Sequence, residues 1–213
     1  MFKRVRNGLI GIVSTAFIAD ATPAAVVTHT RARSQYGPII DQFLHGVTNY
    51  SWTGVSGVDG MHTLVPSRLF IALTMFCPVL FGGGAENFLP SGSYKGQNYY
   101  DLFSKAGYNV VHNNTDLQKI DNKKRALGIF SKSNMAKWLD RTVYPQNLRG
   151  LKNSPTGDGT DAIDQPGLKE MTLKAIDTLH SRSKADKDQG WFLMSEAASI
   201  GTPLSFHPLD WSV

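Results

Sequence analysis

Gly8-Leu9-Ile10-Gly11-Ile12-Val13-Ser14-Thr15-Ala16-Phe17, followed two residues later by Asp20-Ala21-Thr22-Pro23, is the stretch that decides the fold. The first ten residues are rich in isoleucine and valine and read as a buried strand. Thr22 and Pro23 then read as a helix start, a capping hydroxyl followed by proline at the first helical position. The spacing predicts a helix over 24–33. A strand that leads through a short turn into a helix is the unit of an α/β protein.

The same alternation continues outward. Pro38 to Leu44 predicts a short helix, Leu80-Phe81 a strand end and Gly82-Gly83-Gly84 a tight loop. Tyr99 to Ala106 reads as a helix stopped by Gly107, with strands at Tyr108 to Val111 and Ala126 to Phe130. Residues 152–167 are loop, dominated by Asn, Ser, Pro, Thr, Gly and Asp. Leu168 to Lys184 is the strongest helix, because Leu168, Met171, Ala175, Ile176 and Leu179 fall on one face. Trp191 to Ser195 is a buried strand, with Glu196 at its end. The expected class is α/β with a largely parallel central sheet and helices on both faces. In such sheets ligands gather beyond the carboxyl ends of the strands, which is where Asp20 and Glu196 lie.

A chain of 213 residues, 41% hydrophobic and 18% charged, is globular, and its length suits one domain or a piece of a larger one. The net charge of +5 is spread over Lys3, Arg4 and Arg6, over Lys123 to Arg125, and over Lys184 and Lys187. That is a solvated basic surface with a mild preference for anionic substrates. No basic stripe is interleaved with aromatics, so nucleic-acid binding finds no support. Cys77 stands alone, which excludes an internal disulfide and a thiolate zinc site. The apolar run from Leu69 to Phe81 is shorter than the roughly 20 residues a membrane helix needs. No secretory leader is visible, and the compartment stays unknown. Two sequons, at Asn49 and Asn113, matter only in a secretory route.

Asp20, Thr22 and Glu196 are hard oxygen donors, the kind that magnesium prefers while water fills the rest of its octahedron. Arg33 offers a planar fork suited to two phosphate oxygens. Local sequence alone favours plainer roles: Thr22 a cap, Asp20 a turn residue, Arg33 a surface arginine, His29 a packed or surface histidine. One straight helix over 23–33 would also place Arg33 roughly 15 Å from Thr22, so it must end early or the chain must turn back. The triple glycine lacks the Lys-[Ser/Thr] of a phosphate-binding P-loop and is expected to be a backbone turn, which leaves a nucleotide-binding module without a motif.

Val13-Ser14-Thr15, Asp20-Ala21-Thr22-Pro23-Ala24-Ala25 and Arg33-Ser34-Gln35-Tyr36-Gly37-Pro38 together resemble the alkaline phosphatase family. In-order matches follow at Leu80 to Gly84, Leu127 to Phe130, Glu170-Met171-Thr172 with Lys174-Ala175-Ile176, and Phe192 to Ile200. The resemblance implies hydrolysis of phosphate monoesters. It implies that Asp20, Thr22 and Glu196 bind Mg2+ and that Arg33 holds the substrate phosphate. It further implies two Zn2+ ions, a serine nucleophile that passes through a phosphoserine, and a homodimer, commonly extracytoplasmic or vacuolar.

The chain also departs from the family. The serine and first aspartate of the family fall upstream of Gly8, where none of the seven residues fits. Gly201 stands where a zinc-binding aspartate is expected, and His207 is off the family spacing. Removing 60–78 joins Asp59 to Val79 and restores an Asp-Val-Leu-Phe-Gly-Gly-Gly string. Residues 60–78 and 201–213 are therefore expected to be a non-family insertion and a non-family tail. Codons at Gly60-Met61, Pro78-Val79 and Gly201-Thr202 can carry splice signals, so both segments read as translated intron. The expectation is a truncated alkaline phosphatase-like domain over 1–213 that is poorly folded in isolation and without turnover as written. The alternative is a non-catalytic magnesium- or phosphate-binding remnant or an interaction protein.

Overall fold

The computed structural model describes residues 8–46, 77–154, 157–185 and 190–198. The apolar runs become five strands: β1 (Leu9–Phe17), β2 (Val79–Gly83), β3 (Tyr108–Val111), β4 (Arg125–Ile129) and β5 (Trp191–Glu196). They form one sheet in the order β3-β4-β2-β1-β5, and every pairing is parallel. Parallel neighbours need crossovers, and helices supply them. The principal helices are α1 (Ala21–Val27), α2 (Tyr36–His45), α3 (Tyr99–Lys105), α4 (Asn114–Lys119), α5 (Trp138–Thr142) and α6 (Leu168–Ala185).

Alternation along β1 divides the core in two. Ile10 and Ile12 point to one face, where they join Ala24 of α1, Ile39, Ile40 and Phe43 of α2, and Phe103 of α3. Leu9 and Val13 point to the other, where Leu117 of α4 and Met171, Ala175 and Leu179 of α6 cover them. Helices thus lie on both faces, as the sequence leads one to expect.

The first helix differs from its sequence reading at both ends. Its cap is Asp20, not Thr22: the Asp20 side chain accepts from the Ala21 N–H. Pro23 falls in the first turn, where a missing N–H removes no intrahelical bond. The helix stops at Val27, not Arg33. Two valines and a threonine in sequence stiffen the chain against helix, and Thr28 bonds back to the Ala24 carbonyl with its N–H and with its hydroxyl, each at 2.8 Å.

The triple glycine is part strand and part turn. Gly82 and Gly83 belong to β2, while Gly84 adopts a left-handed φ of 98° and opens a 3-10 turn. The short helices α4 and α5 arise where the sequence suggests no periodicity. Residues 60–76 and 201–213, which include Gly201 and His207, lie outside the described residues, as does Asn49. Cys77 and Pro78 are described and lead into β2, with the Pro78 carbonyl accepting from the Ala126 N–H. No helix among the described residues is long and apolar enough to cross a membrane.

Candidate functional site

The site is built from a break in β1. Val13 faces Phe81 of β2, but the next aligned pair is Phe17 with Gly83, so four steps along β1 match two along β2. Such a bulge leaves backbone groups without ladder partners. Side chains supply them here. Ser14 Oγ accepts the Ala16 N–H at 3.1 Å, and Asn134 Oδ1 accepts the Phe17 N–H at 3.2 Å. The bulge turns the end of β1 toward α1.

Beyond it, Asp20 caps α1. Its Oδ1 accepts from the Ala21 N–H at 2.8 Å and from Arg33 Nη2 at 2.9 Å. A carboxylate at a helix N-terminus is favoured by the cap and by the helix dipole. Arg33 reaches Asp20 because α1 ends early. Gln42, almost fully buried on α2, clamps the chain after the helix: its Oε1 accepts from the His29 N–H at 2.8 Å and its Nε2 donates to the His29 carbonyl at 3.0 Å. His29 itself is exposed. The segment then returns, and Tyr36 packs edge-on against Phe17, ring centroids 5.3 Å apart. The hydrogen bond to Asp20, and then its charge, raise the pKa of Arg33 above its ordinary value. The arginine side chain stays 70% exposed, so most of its five N–H donors face solvent.

Glu196 comes from the other side. It ends β5, which pairs with β1 in the register Ser14 to Glu196. Ser14 Oγ donates to Glu196 Oε2 at 2.8 Å, and Thr15 Oγ1 accepts the Ala198 N–H at 3.0 Å. Met194, two residues back, packs against the core beneath α1. By strand alternation Glu196 lies on that same face. Asp20 and Arg33 are therefore in direct contact, and Glu196 ends the neighbouring strand on the α1 face. Thr22 sits in the first turn of α1, exposed. The triple glycine does not offer a cradle, because the Gly84 N–H donates to the Ser131 and Ser133 carbonyls and the Ala85 N–H to Ser131.

The family model for alkaline phosphatase matches residues 5–203. The chain belongs to the alkaline phosphatase family. It is 31% identical over 200 residues to the alkaline phosphatase of Escherichia coli K12, covering 89% of this chain and 39% of that protein. It is 30% identical over 203 residues to the streptomycin-6-phosphate phosphatase of Streptomyces griseus, covering 92% and 42%. The crystal structure of Thermus thermophilus alkaline phosphatase superposes with a TM-score of 0.63 at 24% identity, covering 92% of this chain and 30% of that one, and attests the fold. The chain thus spans about two fifths of the length of these curated relatives.

Alkaline phosphatases are metal-dependent hydrolases, and the donor chemistry can be weighed against each metal. Asp20, Thr22 and Glu196 bring two carboxylates and a hydroxyl, an all-oxygen set that suits magnesium with water completing its shell. Both Asp20 contacts fall on Oδ1 and the Ser14 contact on Glu196 Oε2, so each carboxylate has a second oxygen outside those bonds. Zinc calls for histidine, cysteine or grouped carboxylates, and among the described residues no group of three or more His, Cys, Asp or Glu could hold a metal.

The sequence alone leaves Ser14 as one member of a matching string. Its signal is a small hydroxyl inside an apolar strand, in register with a carboxylate. The Gln42 clamp has no local signal, because a buried glutamine on an apolar helix face shows its partner only once the chain is folded.

Proposed function

We propose that this chain provides the magnesium side and the phosphate arginine of a metal-dependent phosphate-monoester hydrolase. The observation that carries the reading is the return of Arg33 to Asp20 at 2.9 Å, beyond the carboxyl end of β1 and beside the strand that ends in Glu196. In the proposal Asp20, Thr22 and Glu196 hold Mg2+. When bound, the ion supplies positive charge and ordered water next to the phosphoryl group. Asp20 keeps the Arg33 guanidinium fixed, and the remaining guanidinium N–H groups bind two phosphoryl oxygens of a monoester. Zinc chemistry and a serine nucleophile, which family membership implies, would be drawn from residues outside those described.

A second reading is a magnesium- or phosphate-binding protein without turnover. Release of p-nitrophenol from its phosphate ester, with Zn2+ and Mg2+ supplied, separates the two. Turnover that Arg33→Ala abolishes supports the hydrolase. Absent turnover with Mg2+ binding that Asp20→Ala abolishes supports the second reading. Mg2+ binding indifferent to Asp20→Ala and Glu196→Gln removes both.

A further inference from the structure

We propose that Ser14 is a positioning residue that aims Glu196 at the cation, an inference that rests on the magnesium reading above. Ser14 is fully buried in a strand whose other inward side chains are apolar. Burying a hydroxyl is unfavourable unless both its donor and its acceptor capacity are used. Here both are. The lone pair takes the Ala16 N–H stranded by the bulge, at 3.1 Å. The hydrogen is directed to Glu196 Oε2 at 2.8 Å. An ionised carboxylate only accepts, so the hydroxyl is the donor.

This geometry constrains Glu196. A glutamate has three rotatable bonds, and fixing them is entropically costly for a ligand. With Oε2 tied to a hydroxyl that is itself locked to the β1 backbone, Oε1 remains for a metal. Thr15 adds a second tether, since its Oγ1 takes the Ala198 N–H just past the glutamate. Two successive side chains of the bulge thus hold the carboxylate and the backbone that follows it. Partners of this kind orient metal ligands, and their loss typically weakens metal affinity by about 10–100-fold.

The test measures Mg2+ affinity of the full chain by titration calorimetry, and the electron paramagnetic resonance spectrum of bound Mn2+, for Ser14→Ala, Ser14→Thr and Glu196→Gln. Circular dichroism melts establish that each variant folds. Ser14→Ala is expected to lose about 10–100-fold in Mg2+ affinity and to alter the Mn2+ line shape. Ser14→Thr, which keeps the hydroxyl, is expected to restore both. Should Ser14→Ala not fold, Ser14→Cys replaces it, because a thiol of similar size is a weak donor. Wild-type affinity and an unchanged Mn2+ spectrum in the hydroxyl-less variant, alongside weakened binding in Glu196→Gln, would overturn the positioning role and leave the magnesium reading standing. Unchanged affinity in Glu196→Gln would overturn both.

Discussion

At the scale of single residues, the site depends on side chains that do no chemistry. Gln42 is the clearest. It repeats, with one amide, the pair of hydrogen bonds a neighbouring strand would give His29. Without it, the segment between Thr28 and Arg33 has no such anchor, and the N–H and carbonyl of His29 lose their partners in a partly buried place. Gln42→Ala is therefore expected to lower unfolding free energy by about 1–3 kcal/mol, read as a fall in the urea midpoint at unchanged slope. It is also expected to weaken inorganic phosphate binding through Arg33, because the arginine would sample positions away from Asp20. Gln42→Glu would keep the acceptor for the His29 N–H but set a buried carboxylate oxygen against the His29 carbonyl, so a loss at least as large as that of Gln42→Ala is expected.

At the scale of elements, α2 carries a pH-dependent contribution. His45 lies in its last turn, where positive charge is favoured by the helix dipole. Its Nδ1 sits 2.9 Å from Asp41 Oδ1, which also accepts from the buried Tyr99 hydroxyl at 2.7 Å. The Asp41 hydrogen bond is the largest influence raising the His45 pKa above 6.5, and desolvation opposes it. A raised folded pKa means that the protonated form is the stabilised one. The contribution is complete below the unfolded value of 6.5 and disappears as pH climbs through the folded value. The ring is about half exposed, so the effect is modest. His45→Gln should therefore melt below the wild type near about pH 5.5 and level with it near about pH 9. A gap that persists at the alkaline end would point to packing instead of charge.

The elements also show what a sequence discloses. Apolar runs located all five strands, and the period of Leu168 to Leu179 located α6, because burial on a sheet writes itself into hydrophobicity; β5, read as a buried strand, is only partly covered, and its Phe192 is exposed. By contrast α4 is a short helix with one buried apolar residue, Leu117, and a cap at Asn113, whose Oδ1 accepts the Asp116 N–H at 2.7 Å, and α5 has an exposed tryptophan where a core residue would signal a helix. The candidate site was legible as residue types in a specific string. Its geometry was not, since the Arg33 return depends on Gln42 and the Glu196 orientation on a register between strands 182 residues apart.

At the scale of the whole molecule, the two halves of the proposed site have unequal support. Asp20 and Arg33 follow β1, which pairs on both sides, with β2 and with β5. Glu196 ends β5, which among the described residues pairs only with β1. Besides its pairing with β1, β5 is held by packing against α6. Leu179 lies against Gly11, so closely that a Cβ there would collide with the leucine and crowd Leu193 of β5. Glycine at 11 thus brings helix, central strand and edge strand together at one point. Leu179→Ala removes the filling side chain and should lower global stability by about 2–5 kcal/mol. The loss should not be felt evenly, because segments with fewer partners open at lower free energy. Amide hydrogen exchange is expected to accelerate more at Trp191–Glu196 than at Val79–Gly83, and Mg2+ affinity is expected to fall although no donor has changed. Equal acceleration in both strands would mean that β5 opens only with the entire sheet, and that Glu196 is held as firmly as Asp20.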